Sequence, residues 1–380
     1  MVHERKTLII LFILIILGFL PAGVMAGDVR FSLGEYILDD EPNPGCLKEG
    51  KDGKIYISDK LTYSIRVFSA EGKYLYSMGG KGEGPGLFKR WMGAYDIDAR
   101  GQICQVDFAN GNGRITRFSP DGKVIDSFRI DAQKKNWGMS IFCRNNDDFL
   151  IDLGGNPIIE NHNKLFYMGG TSLFCILDGK GMWKETIHED RFFYDFSSEA
   201  QDLWPHIPYL NYMVSAYSPK RDTLAFQKTS DDQVTIVDLK TKKKLRIPNG
   251  FKSTPLTKQD IDSWIDDEKS TNPMFTILLP YYNKFRNYGI DFIANKPIVD
   301  RLFFNHQGEL FISQFDKAKR KYTVHKFSID NQYLQMKVLD KIPVFIGKDR
   351  LYYMIYDEDT EIYTVEVKRQ DVFFNKEIGE

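Results

Sequence analysis

One stretch, Gly53 to Ile130, states the same structural unit twice, and that repetition constrains the fold more than any other feature. "GKIYISD" (Gly53 to Asp59) returns as "GQICQVD" (Gly101 to Asp107), and "IRVFSAEGK" (Ile65 to Lys73) as "ITRFSPDGK" (Ile115 to Lys123). The copies lie 48 to 50 residues apart. Each holds short β-type runs parted by Gly/Asp turns, and a unit of that length and content reads as a propeller blade, not as a turn of a helical solenoid.

Carrying the period along the chain predicts an all-β, six-bladed β-propeller of four-stranded antiparallel blades. The blades fall at Gly45 to Met78, Met92 to Ile130, Ser140 to His188, Tyr212 to Ile247 and Arg301 to Leu339, and a last one at Val344 to Lys368 has only three strands. Five or seven blades are the alternative counts, because blades three and four have drifted from the repeat. The strand-like run Asp28 to Leu38, within a closing segment at 27–40, can supply the missing strand and remove an exposed sheet edge. A segment at 250–296 breaks the pattern and predicts a short helical insertion between blades four and five. There Thr257 can cap a helix with Asp260 at its third position, and Leu256 can staple to Ile261. A second helix is expected from Asn272-Pro273, broken near Pro280.

Between the two copies lies "GGKGEGPGLF" (Gly79 to Phe88), and a strand and the pattern Arg114-Ile115, Phe118, Gly122 follow it. A glycine-rich stretch ending in Phe, with those patterns after it, resembles the NHL-repeat family. The resemblance covers two blades by motif and the other four only by spacing. It implies a propeller that presents a surface for protein or other ligand contact. Some six-bladed relatives are enzymes, including calcium-dependent lactonase-like hydrolases and a zinc-dependent lyase, whose ligands come from separate blades.

The first 26 residues read as a secretory signal peptide, with Arg5 and Lys6 ahead of an apolar run from Leu8 to Leu20 and a small-residue site ending at Ala26. That run is shorter than the ~20 residues a bilayer span needs, so no stable membrane anchor is expected after cleavage. The mature domain, 27–380, should be periplasmic or secreted. With 52 acidic and 51 basic side chains there is no basic excess for nucleic acid. Export permits disulfides among the four cysteines. However, Cys143 and Cys175 fall about 9.6 Å apart on the first and third strands of one blade, beyond the ~7 Å a bridge tolerates. Cys46 and Cys104 lie in neighbouring blades. Buried free thiols are the expectation.

Loop lengths select a face. The a–b and c–d turns at one end of the blades are terse and rich in Gly, Asp and Asn, as tight turns require. The b–c loops and d–a crossovers at the other end carry Gly154 to Thr171, Glu189 to Asn211 and Gly250 to Lys296. Binding residues concentrate on variable loops of a rigid scaffold, so the candidate ligand-binding residues are Trp91, Trp137, His162, Trp204, His206 and Tyr209. Asp59 and Asp107 end matching strands, but the other blades have no carboxylate there, so a bond to their own loops is expected. "GKGEGPG" lacks the Lys-Ser/Thr of a phosphate loop. Neither a metal motif nor a Gly-x-Ser-x-Gly elbow is present in the sequence.

The expected function is therefore an exported, non-catalytic binding module for a protein, small-molecule or glycan ligand, with no cofactor. The alternative is a metal-dependent hydrolase or lyase with calcium or zinc at the central channel. Mature protein recovered from an exporting host should begin at or near Gly27 by N-terminal sequencing; an intact N-terminus in the membrane fraction would contradict the signal assignment.

Overall fold

A computed structural model describes residues 29–33, 47–59, 61–89, 94–109, 112–130, 137–154, 158–162, 165–195, 213–229, 231–252, 254–271, 298–316, 319–357 and 362–369, and four positions between 275 and 283. They form a six-bladed β-propeller. Strand β1 (Val29–Ser32) precedes blade one, which is β2 (Leu47–Glu49), β3 (Ile55–Asp59), β4 (Ser64–Phe68) and β5 (Tyr74–Gly79). Blade two is β6 (Tyr95–Ile97), β7 (Ile103–Ala109), β8 (Asn112–Phe118) and β9 (Val124–Arg129). Blade three has five strands: β10 (Trp137–Cys143), β11 (Phe149–Gly154), β12 (Ile158–His162), β13 (Leu165–Leu177) and β14 (Trp183–Asp195). Blade four is β15 (Met213–Ser218), β16 (Thr223–Lys228), β17 (Gln233–Asp238) and β18 (Lys244–Pro248). After helix α1 (Lys258–Thr271) comes blade five, β19 (Arg301–Phe304), β20 (Leu310–Asp316), β21 (Lys321–Phe327) and β22 (Tyr333–Leu339). The last sheet joins β23 (Phe345–Ile346), β24 (Arg350–Asp357) and β25 (Ile362–Arg369) to β1.

The ring closes as the sequence predicts. β1 lies antiparallel to β25, with Val29 opposite Val367 and Phe31 opposite Val365. Leu33 is buried beside Leu47, Ile55, Val344 and Tyr352, so the closing segment fills the junction between the last blade and the first. The Phe31 ring lies 5.2 Å from that of Phe68. Gly72 sits at φ +84°, and a Cβ there would meet Phe31 at 2.3 Å, so the turn it occupies admits only glycine.

Tight turns explain the repeat's Gly/Asp signature. Gly53 and Gly101 have φ near +80° (77° and 81°) in the a–b turns of blades one and two, and where blades three and four lack glycine, Asp147 and Asp222 take up the left-handed conformation at 66° and 50°. Asp and Asn tolerate it better than most residues, because a short polar side chain can bond locally.

Blade three departs from expectation. Gly154 to Thr171, read as a loop, contains β12 and the first half of β13, which pair as a hairpin from His162 and Leu165 to Ile158 and Gly169. β14 likewise runs on to Asp195, beyond the expected strand end at His188. At about 3.3 Å per residue, the 13 residues of β13 span roughly 40 Å, so this sheet extends well beyond the ring on the long-loop side. Between the glycine pairs lie two apolar runs, Ile158-Ile159 and Leu165 to Met168, one on each arm of the hairpin.

The helix forms where its cap predicts. Asp260 N–H donates to Thr257 Oγ1 at 3.3 Å and Thr257 N–H to Asp260 Oδ2 at 2.9 Å, a reciprocal box with Asp in place of Glu. Leu256, Ile261, Trp264 and Ile265 are buried. α1 lies between β18 and β19, which are the fourth and fifth sheets counted from β2, and the fifth and sixth counted from the sheet that holds β1. The second expected helix lies almost wholly outside the described residues.

Cys104, Cys143 and Cys175 are buried free thiols, as expected; Cys46 lies outside the described residues. Cys104 and Cys143 hydrogen-bond to each other across the junction of blades two and three, and burial pushes the Cys143 thiol well above its ordinary range.

Removing residues through Leu33 from the mature protein should lower stability by about 3–6 kcal/mol, the burial of one full and two partial apolar side chains, as a single cooperative loss in calorimetry. A truncated protein that melts like the parent would contradict closure. Thr257→Ala should cost about 1 kcal/mol, read from urea midpoints.

Candidate functional site

The two ends of the propeller use their polar groups differently. At the short-turn end, each a–b turn bonds to the next across four successive blade junctions. Lys51 Nζ donates to Ala99 O at 2.5 Å, Arg100 Nη2 pairs with Asp147 at 2.8 Å, Asn145 Nδ2 donates to Pro219 O at 2.7 Å, and Arg221 Nη1 to Gly308 O at 3.2 Å. Arg144 adds a buried two-pronged pair with Asp222, at 2.9 and 2.6 Å, to which the Tyr217 hydroxyl also donates. A narrow cleft here, among Asp98, Arg100, Arg117, Arg144 and Asp147, has room for about one water molecule. These groups lock blade to blade and leave little concavity.

At the long-loop end, Asp59 does what was expected of it. Its Oδ1 accepts from the N–H groups of Leu61 and Thr62 in its own loop, at 3.0 and 3.1 Å, and its Oδ2 from Arg66. Asp107 repeats only half of that arrangement: Oδ2 accepts from Arg114 at 3.1 Å, and Oδ1 has no partner among the described residues.

At this end a further group of polar side chains lies at the junction of blades three and four. Register sets its composition. Asp152 opposes Phe174, which opposes His188; Gly154 opposes Ser172, which opposes Asp190. Cross-strand partners project from the same face, so Asp152, Ser172, His188 and Asp190 all point toward blade four. Leu150, Phe174, Leu224 and Phe226 close the apolar part of the junction below them. Ser172 Oγ donates to Asp152 Oδ1 at 2.9 Å. Lys228 Nζ reaches Asp190 Oδ2 at 3.0 Å, and His188 Nε2 lies 3.9 Å from the same oxygen. The imidazole rests 4.4 Å from the Phe226 ring. At this junction Asp152 and Ser172 are buried, and the partly exposed His188, Asp190 and Lys228 side chains offer hydrogen-bond donors and acceptors.

Of the six residues singled out from the sequence, Trp137 opens β10 opposite Gly154, at the long-loop end. His162 ends β12 opposite Leu165, seven residues or about 23 Å along β13 from the level of Gly154, so Trp137 and His162 sit at different heights. Trp91, Trp204, His206 and Tyr209 lie outside the described residues. Sequence reasoning did not single out Asp152, Asp190 or Lys228. Asp152 carried one signal, as the lone charge inside the apolar run "FLIDL".

Residues 46–151 match the model of a family described as DUF5128, a 6-bladed beta-propeller. No curated protein matches the sequence. Among solved structures, a candidate exported protein of Bacteroides fragilis is 10% identical, with 90% of this chain and 94% of that one covered and a TM-score of 0.48. A duf4221-family member from Bacteroides vulgatus is 11% identical, covering 90% and 97%, with a TM-score of 0.47. A virginiamycin B lyase from Staphylococcus aureus is 9% identical, covering 89% and 98%, with a TM-score of 0.41.

Proposed function

We propose that this chain is an exported, non-catalytic binding module whose ligand, a protein, small molecule or glycan, seats on the long-loop end of the propeller. The observation that carries this reading is the asymmetry of the ends. Polar groups at the short-turn end are used up from turn to turn around the ring, whereas at the other end Asp152, Ser172, His188, Asp190 and Lys228 gather at one blade junction. Trp204, His206 and Tyr209 belong to the crossover that joins these same two blades, between β14 and β15. Export rests on the signal segment. Cleavage near Ala26 leaves a periplasmic or secreted domain.

Thermal-shift screening of the purified domain against soluble glycans and peptides supplies a ligand, and substitution then locates it. Alanine at Trp204, His206 or Tyr209 should weaken binding about tenfold or more, a loss of ~1.4 kcal/mol, and leave the fold intact. Alanine at Asp121, Lys180 or Lys242, in the short turns, should be silent. The opposite pattern would place the site on the other end. Stoichiometric calcium or zinc in elemental analysis would favour the metal-dependent hydrolase or lyase instead.

Asp152 gives a pH signature. Burial pushes its carboxyl up to about 7, with the Ser172 hydrogen bond opposing. Unfolded, it titrates near ~3.9, so between those values the native state holds the extra proton and stability falls as pH rises. The decline should reach up to about 4 kcal/mol between pH ~4 and ~7 and then level off. Asp152→Asn should flatten that part of the profile in urea titrations; an unchanged slope would show that Asp152 is not its source.

A further inference from the structure

Comparing one position around the ring exposes an exception. The third core position of each second strand is held by Ile57, Ile151, Phe226, Ile312 and Tyr353, all buried apolar bodies packed against the preceding blade. In blade two the residue is Gln105, 1% exposed. Among the described residues, neither its amide nitrogen nor its amide oxygen has a hydrogen-bond partner. Two residues on, and therefore on the same face of β7, Asp107 is 2% exposed and its Oδ1 is likewise unpartnered. Burying such groups without bonds destabilises a fold, and an apolar residue would fit where five other blades already carry one. The pair lies at the blade one–two junction, with Asp107 nearer the long-loop mouth, close to the end of β7. Trp91 belongs to the crossover leading from β5 into this blade.

We propose that Gln105 and Asp107 form a binding subsite for a hydroxyl group of a neutral, polyhydroxylated ligand of the sugar class. The amide offers an NH2 donor and a carbonyl acceptor, and Asp107 Oδ1 a second acceptor. A hydroxyl accepts from the NH2 group and donates to one of the two acceptors, and the neighbouring hydroxyl of a polyol donates to the other, so a polyhydroxylated ligand satisfies this set. Charge selects against the alternatives. Arg114, 3.1 Å from Asp107 Oδ2, balances the carboxylate, so the pair carries no net charge to attract a free cation or a free anion. Arg114 is held in place by its bond to Leu87 O and by the Phe88 ring, 5.9 Å away. The proposal rests on the long-loop end being the ligand-binding end and assigns the chemistry of what binds there.

The test uses the whole mature domain with maltose, cellobiose, mannose, N-acetylglucosamine and myo-inositol as probes, and sodium phosphate and calcium chloride as charged controls. At least one neutral probe should raise the melting temperature of the parent, and the controls should not. Gln105→Leu should raise the basal melting temperature by about 2–4 °C and weaken the responding probe about tenfold or more. Asp107→Asn tests the second acceptor and should weaken the same probe. A lower basal melting temperature in Gln105→Leu would mean that the amide serves a structural water, and would overturn the subsite. So would the absence of any neutral response. If the response survives in Gln105→Leu but is lost in the Trp204→Ala protein, the long-loop end remains the binding end and this subsite alone falls.

Discussion

Apolar packing between neighbouring blades is the interaction on which everything else depends. Each buried cluster draws on two adjacent sheets: Tyr56 and Val67 meet Ile103 and Phe118, and Ala225 and Ile236 meet Leu302 and Ile312. The junction of blades two and three joins Cys104 and Val106 to Ile151 and Leu173 in the same way. No sheet here has a core of its own, because both of its faces are covered by neighbours. A blade's second strand is therefore buried along most of its length: β3 throughout, β16 in its first five residues and β20 in its first four. That explains why the strands read as nearly continuous apolar runs, and why a polar residue inside one stands out.

The same geometry divides labour between the two ends. Blades packed face to face need short, mutually bonded turns wherever their ends converge, and the lysine, arginine and asparagine contacts from turn to turn meet that need. The other end is free of it and can carry a hairpin, a long crossover and a helix. Polar residues that sit just inside that end, such as Asp152 and Gln105, lie in a low-dielectric layer where a carboxyl loses its charge readily and an unpaired amide weighs heavily on stability.

The repeat made the ring legible. The expected bounds of blade five, Arg301 and Leu339, are the first residue of β19 and the last of β22, because polar turn residues, Asp300 before and Asp340 after, flank it. Thr257 and Asp260 announced α1 for the same local reason. The hairpin of blade three was hidden because paired glycines look like loop, and only tertiary pairing makes them strand. The site was less legible than the fold. His188 was visible only as an unpaired histidine, since cross-strand register, not sequence spacing, brings it to Asp190 and Lys228. Gln105 was in plain view when "GQICQVD" was set beside "GKIYISD", but its lack of partners belongs to the packed molecule.

Closure by β1 has a kinetic side. Val29 pairs with Val367, so the first strand of the propeller finds its partner in the last. Contacts of such sequence separation form slowly, because the entropy of closing the loop precedes the gain from the contact. Until the C-terminal strands have formed, β1 has no partner and the junction of last and first blades stays open. A chain built this way reaches its native ring only when its last strands are in place, and until then the unpaired strand edge is its point of greatest vulnerability to aggregation.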